Sequence, residues 1–242
     1  MGFGETKAQG KHSNITCMGG PVSNVWLIES KKYGPILIDS GFSLMWPWVM
    51  AGLRQKGLKP GDLAAVILTH RHKDHADNAI HFIDAGVPIY AHRYDAEVLT
   101  GDVKPVELNG RPGPVAWMCN LENRRPVRLE NVGILNDHDK IAGLEVIHCP
   151  GHTRGSIFLY DPESAGLFTG DGLLNAIPPY VYKTALSLPY PDFCDDYKQA
   201  LKSLHCFMDL NLEISNLYPG HGPVRKGPIQ YDLKKLLDMA GG

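Results

Sequence analysis

A dense cluster of metal-binding residue types follows one buried segment, and no other feature constrains the fold as strongly. The apolar segment Ala64–Leu68 predicts a short buried strand, and it runs directly into Thr69-His70-Arg71-His72-Lys73-Asp74-His75. Any one of these histidines alone would be an ordinary surface or core residue. Three imidazoles and a carboxylate within six residues indicate a metal site.

The spacing of the cluster predicts how its side chains divide. In extended backbone, His70 and His72 lie on the same side because strand periodicity is two, so both rings can converge on one metal ion. The chain then turns into a helix near Ala76, and the adjacent Asp74 and His75 can face a second ion close to the first.

Three later residues share a common context, each at a predicted strand end beside a glycine. Glycine permits the tight backbone that turns a side chain out of a strand end. The residues are His152 in Gly151-His152, Asp171 in Gly170-Asp171 and His221 in Gly220-His221. Five imidazoles and two carboxylates, with no thiolate, suit zinc, iron or manganese rather than a structural zinc finger.

Strand and helix patterns alternate along the chain. Glycine- and proline-containing turns separate them. Strands are predicted at 22–28, 35–39, 64–68, 87–91, 144–148, 156–160, 166–169 and 214–218, and helices at 44–56, 76–85, 95–99, 192–208 and 229–239. An irregular excursion spans about 100–128, and no linker is evident. We therefore expect one domain over 1–242, with mixed sheets and outer helices.

Charge and cysteine content exclude several classes of protein. With 24 basic and 26 acidic residues, a net charge of −2 gives no electrostatic footprint for nucleic acid. Five cysteines without a C-x-x-C pair favour a reducing compartment. Neither a signal peptide nor a membrane span is evident. We expect a cytoplasmic protein with a small-molecule substrate, no nucleic-acid or membrane partner, and possible self-association.

The cluster and the three later motifs together resemble the metallo-β-lactamase superfamily, over nearly the whole chain from Val22 to Gly222. The resemblance implies an α+β fold, the αβ/βα sandwich, in which two mixed sheets pack face to face with helices on both outer faces. It also implies a dinuclear site, with His70, His72 and His152 at the first ion, Asp74, His75 and His221 at the second, and Asp171 bridging. Asp39, in Ile38-Asp39-Ser40-Gly41, resembles the family aspartate that supports the metal loop.

The resemblance implies hydrolysis by a hydroxide that bridges two divalent metal ions, with zinc expected and iron or manganese as alternatives. Asp74 is a candidate for carrying the proton to the leaving group. Asp171 stands where cysteine-ligand β-lactamases place a thiol, so penicillinase activity is not favoured. Leu174 stands where acyl-homoserine-lactone lactonases carry a tyrosine, for which Tyr180 or Tyr182 could substitute.

Other branches of the family fit less well. Glyoxalase II enzymes add a helical extension after the last histidine, and with about twenty residues after His221 we do not expect acyl-glutathione specificity. The Cys-Gly-Arg segment of persulfide dioxygenases does not follow Asp171. We expect a glyoxalase II-like hydrolase of an ester, thioester or lactone. The alternatives are a persulfide-type iron dioxygenase, a phosphodiesterase or phosphotriesterase, and a catalytically silent binding module.

Two further expectations concern the surroundings of the site. Trp46, Trp48, Tyr180 and Tyr182 are candidates for apolar walls of a substrate pocket.

Family members commonly carry a glycine shortly after the position of His75, but Asp77-Asn78 stands here instead. We therefore expect side-chain capping to set the start of the helix.

Overall fold

The computed structural model describes residues 13–106, 124–177 and 183–240. Within these ranges the strands form two six-stranded sheets. The first sheet contains β1 (Ser13–Cys17), β2 (Trp26–Ser30), β3 (Gly34–Ile38), β4 (Ala65–Ile67), β5 (Ile89–His92) and β6 (Val132–Leu135), in that order. The second contains β7 (Lys140–Ile141), β8 (Leu144–His148), β9 (Ile157–Asp161), β10 (Gly166–Gly170), β11 (Asn216–Pro219) and β12 (Arg225–Lys226), again in chain order across the sheet.

Helices cover the outer faces of both sheets. They are α1 (Trp46–Gln55), α2 (Lys73–Ala76), α3 (Ala79–Asp84), α4 (Arg93–Thr100), α5 (Tyr197–Asp209) and α6 (Ile229–Ala240). Short 3₁₀ turns occur at Ser43–Met45, Pro60–Asp62 and Pro191–Phe193. None of the helices in the described ranges is long and apolar enough to cross a membrane.

Successive side chains along each strand point to opposite faces of its sheet, so the buried residues form three layers. In β2, Trp26 and Ile28 point between the two sheets, whereas Leu27 packs beneath the helices that cover the first sheet. Phe158 of β9 and Phe207 of α5 belong to a third cluster on the outer face of the second sheet. Because both faces of each sheet are buried, the central strands β3 and β4 are apolar throughout. The predicted αβ/βα sandwich is confirmed.

Parallel pairing brings several strand ends to one edge of the sandwich. Strands β3, β4, β5 and β6 run parallel, and so do β10 and β11. Side chains that follow the carboxyl ends of parallel strands meet at the same edge. This topology places Asp39 after β3, His70 after β4, Asp171 after β10 and His221 after β11.

Most predicted elements are present, with boundaries shifted by a few residues. The helix predicted at 76–85 is divided into α2 and α3, and the segment predicted at 192–208 becomes a 3₁₀ turn followed by α5. Strands β1, β6, β7 and β12 were not predicted. Each lies at or next to a sheet edge and is short or half-polar, so its apolar alternation is weak.

Candidate metal centre

The segment that follows β4 delivers four of the predicted ligands to the edge of the sandwich, with His70 and His72 in the loop and Asp74 and His75 in α2. His70 and His75 are fully buried, and His72 is half-buried. The rings of His70 and His72 lie with centroids 4.9 Å apart, so the two side chains converge as strand spacing predicts.

The first ligand group consists of three imidazoles from two loops. Ligand nitrogens of His70, His72 and His152 all lie within 4.8 Å of one another. The Nε2 atoms of His70 and His152 are 3.3 Å apart. Nitrogens bound tetrahedrally at about 2.0–2.1 Å from zinc lie about 3.3 Å from each other. The group is therefore arranged at the spacing that a metal ion requires.

The second ligand group combines two imidazoles and two carboxylates. Ligand atoms of Asp74, His75, Asp171 and His221 lie within 4.8 Å of one another. Nε2 of His221 lies 3.1 Å from Oδ2 of Asp74 and 3.2 Å from Oδ2 of Asp171. Nε2 of His75 lies 3.4 Å from Oδ2 of Asp74.

The Asp171 carboxylate reaches both groups. Its Oδ2 atom lies 3.7 Å from Nε2 of His152 in the first group and 3.2 Å from Nε2 of His221 in the second. Its Oδ1 atom lies 3.2 Å from Nε2 of His75. One side chain thus links the two groups of predicted ligands, as the bridging prediction requires.

Contacts outside the centre orient the histidine rings. Nδ1 of His75 lies 2.8 Å from Oδ2 of Asp39, and Nδ1 of His221 lies 2.7 Å from the carbonyl oxygen of Val22. These contacts assign a proton to each Nδ1 atom and leave Nε2 directed at the centre. Such outer partners fix the tautomer and orientation of metal-binding histidines.

Asp39 also binds the start of the ligand loop, which is the segment from Thr69 to His75 that carries four of the predicted ligands. Its carboxylate accepts hydrogen bonds from the backbone N–H of Thr69, at 2.7 Å, and from the Thr69 hydroxyl. Asp39 is 1% exposed, and its backbone has a φ of 62° in the left-handed region. The structure therefore places Asp39 beside the metal loop, where the resemblance predicts it.

The two groups differ in their electrostatics. Burial and neighbouring imidazoles hold the pKa of His70 and His72 well below its ordinary value, and burial also lowers the pKa of His152. Burial also lowers the pKa of His75 and His221, but the nearby carboxylates outweigh this effect. They raise the pKa of His75 well above its ordinary value and that of His221 to about 10.

The carboxylates respond in the opposite direction. Burial would raise the pKa values of Asp74 and Asp171, but His75 and His221 hold both well below the ordinary range. In the absence of metal, protons on the two histidines therefore neutralise these carboxylates. A cation bound to this group would replace those protons.

Two buried atoms provide an independent test of whether a metal fits. Nε2 of His75 and Oδ1 of Asp171 are buried and make no hydrogen bond to any of the described residues. Burying such polar atoms without a hydrogen bond is costly. They face each other at 3.2 Å, and a cation between them would satisfy both, so the residues present fit a metal ion.

Two glycines allow the backbone to approach the centre. Gly170 has a φ of 47°, and a Cβ atom there would lie 2.4 Å from Oγ1 of Thr69. A Cβ atom on Gly220 would lie 2.3 Å from Oδ1 of Asp171 and 2.7 Å from Cε1 of His75. Both positions therefore require the absence of a side chain.

The structure describes only part of the predicted substrate pocket. Trp46 packs against Phe82, with ring centroids 5.4 Å apart, and against His81. Trp48 is 41% exposed. Tyr180 and Tyr182 lie outside the described residues, as does the 107–123 part of the predicted excursion.

The prediction that side chains cap the helix after His75 was wrong. Neither α2 nor α3 has a side-chain hydrogen bond at its N-cap. The Asp77 carboxylate instead accepts a hydrogen bond from the Ser43 backbone N–H, and the Asn78 amide donates to the carbonyl oxygens of Ser40 and Phe42. These two residues tie the helical segment to the loop that follows β3.

Several residues around the centre were not identified from the sequence. The hydroxyls of Ser23 and Ser40 donate to the backbone carbonyls of Asp74 and His75, respectively. Sγ of Cys194 lies 3.9 Å from Nδ1 of His152. Asp95 follows β5, whose carboxyl end lies at the same edge as that of β4. A prediction that these strands are parallel would therefore have placed Asp95 near the ligands.

The family is established by comparison with known proteins. The model of the metallo-β-lactamase superfamily matches residues 18–221, and the chain belongs to this superfamily. It is 27% identical to the probable metallo-hydrolase YflN of Bacillus subtilis over 97% of this chain and 92% of that protein. It is 32% identical to the acyl-coenzyme A thioesterase MBLAC2 of Gallus gallus over 84% of this chain and 73% of that protein.

Solved structures show the same fold. The metallo-β-lactamase family protein TTHA1429 of Thermus thermophilus superposes with a TM-score of 0.70 at 22% identity, over 94% of this chain and 79% of that one. The di-iron-bound form of TTHA1623 superposes with a TM-score of 0.57 at 29% identity, over 86% and 91% of the two chains. The family, its relatives and the clustered ligands together support a metal-dependent hydrolase.

Proposed function

We propose that this protein is a dinuclear metal-dependent hydrolase that cleaves an ester, thioester or lactone. The observation that carries the proposal is the pair of adjacent ligand groups linked by Asp171, whose Oδ2 atom lies within 3.7 Å of histidine nitrogens of both. A structural metal site needs only one such group, with its ligands closed around a single ion. Two linked groups favour a catalytic centre.

Each residue has a defined task in this proposal. His70, His72 and His152 would hold one ion, Asp74, His75 and His221 the other, and Asp171 would bind both. Two bound divalent ions would lower the pKa of a shared water to about 7 and polarise the carbonyl oxygen under attack. The outer contacts of His75 and His221 keep their Nε2 atoms directed at the centre before substrate arrives.

Asp74 is our candidate for transferring the proton to the leaving group. Its side chain is 26% exposed, compared with 14% for Asp171, so it is the more accessible of the two carboxylates. Its pKa is held well below the ordinary value by His75 and His221, although burial opposes this. Asp74 is therefore ionised and able to accept a proton.

A thioester is the substrate class that we favour within this reaction type. The acyl-coenzyme A thioesterase MBLAC2 shares 32% identity over most of this chain. The 41% exposed ring of Trp48 offers an apolar surface on the helix that follows the Asp39 loop. Tyr180 and Tyr182 belong to the same proposed pocket on sequence grounds alone.

Zinc is the metal that we propose, because histidine and carboxylate ligands at this spacing suit it. The di-iron form of TTHA1623 makes iron the alternative to test. We also propose a reducing location such as the cytoplasm, because the five cysteines include no C-x-x-C pair.

The decisive experiment combines metal analysis with a panel of substrates. Metal-free protein is loaded with zinc, iron or manganese and assayed against acyl-coenzyme A thioesters, lactones, phosphodiesters and β-lactams. We expect metal-dependent turnover of a thioester or lactone. Oxygen uptake by a protein carrying one iron would support the dioxygenase alternative instead. A fully loaded protein inactive on the whole panel would contradict the proposal.

A further inference from the structure

A buried carboxylate outside the ligand set joins the two loops that carry the first group. Asp95 lies in the first turn of α4 and is 1% exposed. Its Oδ2 atom accepts hydrogen bonds from the Arg71 backbone N–H, at 2.9 Å, and from the Thr153 hydroxyl, at 2.6 Å. Its Oδ1 atom accepts a third from the Gly155 backbone N–H, at 3.0 Å.

Two of the three donors to Asp95 stand directly beside ligands. Arg71 lies between His70 and His72 in the chain, and Thr153 follows His152. One carboxylate therefore binds both ligand loops at once. The contact is close, since a Cβ atom on Gly155 would lie 2.5 Å from the backbone nitrogen of Asp95.

The side chain of Arg71 makes a second link between the same loops. Its Nη2 atom donates to Oδ1 of Asp195 at 2.8 Å. The Asp195 backbone N–H in turn donates to the carbonyl oxygen of His152 at 2.9 Å. Both side chains of this ion pair are buried, with exposures of 4% and 7%. Removing one partner of a buried ion pair strongly destabilises a protein, because the other charge is left buried without compensation.

The second ligand group is held by different contacts. His75 is oriented by Asp39, and His221 by the carbonyl oxygen of Val22. Neither contact involves Asp95 or Arg71. A change at Asp95 should therefore act on one group and not on the other.

We propose that Asp95 is a positioning residue that sets the separation of the His70/His72 loop and the His152 loop, and thereby the affinity of the first group for its ion. The inference rests on the proposed metal centre. It assigns Asp95 no contact with substrate or metal.

The test is the variant Asp95→Asn, which preserves size but places an amide where three donors converge. The zinc retained per chain is measured at increasing concentrations of a chelator, and the absorption of cobalt-loaded protein reports the coordination of the bound ions. We expect one of the two affinities to fall about 10- to 100-fold, with altered cobalt bands, while the other affinity is unchanged.

Asp161→Asn is the matched control. Asp161 is also a buried aspartate, 5% exposed, and accepts hydrogen bonds from the Glu163 backbone N–H and the Ser164 hydroxyl at the turn between β9 and β10. The same chemical change there should lower the Tm without changing either affinity. Thr153→Val removes one donor and keeps Asp95, so it can be tested even if Asp95→Asn fails to fold. We expect it to lower the metal affinity of the first group by a smaller factor.

The outcomes separate this inference from the proposed function. If the wild-type protein binds two ions and both Asp95→Asn and Thr153→Val bind them equally tightly, Asp95 has only a structural role and the inference is overturned. If the wild-type protein does not bind two ions, the proposed function itself fails. Selective loss at one ion in Asp95→Asn, but not in Asp161→Asn, supports the inference.

Discussion

The carboxylate of Asp39 lies 2.8 Å from Nδ1 of His75, in a fully buried contact between the end of β3 and the short helix α2 that follows β4. It turns the ring so that Nε2 faces the metal centre. Because Asp39 also binds Thr69, one side chain positions both ends of the ligand loop.

Replacing Asp39 with asparagine should weaken metal binding while preserving the backbone. Asparagine adopts the left-handed conformation that Asp39 requires. The amide cannot match both oxygens that His75 and Thr69 use. We expect the affinity for the ion held by His75 to fall about 10- to 100-fold, measured by competition with a chelator. Equal affinities in the variant and the wild-type protein would show that the contact has no orienting role.

Gly220→Ala should displace the ligands of the second group. The new Cβ atom would lie 2.3 Å from Oδ1 of Asp171, and overpacking of this kind costs about 1–3 kcal/mol. We expect less bound metal and a lower Tm. Gly61→Ala is the control, because the nearest atom to its Cβ is the Ala85 carbonyl oxygen at 3.3 Å, far from the centre. A Gly220→Ala protein with full metal content would contradict this view of the site.

The metal-free protein should lose stability as the pH rises above neutrality. The pKa of His221 is raised to about 10 in the folded protein by Asp171 and Asp74, although burial opposes this. A raised histidine pKa stabilises the folded state fully below about 6.5, and this contribution is lost as the pH rises towards 10. Urea unfolding between pH 7 and pH 10 should show a decline that is shallower in His221→Asn. Parallel profiles for the two proteins would refute the proposed charge pairing.

Asp74→Asn tests the proton-transfer role separately from metal binding. The amide cannot accept a proton, so kcat should fall even when excess zinc keeps the centre loaded. General acid–base catalysis typically contributes about 10²- to 10⁴-fold, and the loss should lie in that range. Metal analysis of the assayed sample is the control. Unchanged turnover in a fully loaded Asp74→Asn protein would remove this role from Asp74.

The candidate ligands could be named from the sequence because each stands in a distinctive local pattern near the end of a predicted strand. Two-residue strand spacing brought His70 and His72 together, and glycine marked His152, Asp171 and His221. Local patterns could not show Asp95, whose partners lie 24 and 58 residues away along the chain. Asp77 and Asn78 were misassigned for a related reason, since their partners lie in the loop after β3 rather than in their own helix.

The central claim is that two linked metal sites catalyse hydrolysis, and a zinc titration tests it most directly. Metal-free protein is titrated with zinc while thioester or lactone hydrolysis and bound metal are followed together. We predict that full turnover requires two ions per chain and that Asp171→Ala, which removes the linking carboxylate, lacks this turnover. Full activity with one ion, or hydrolysis that persists without metal, would contradict the account.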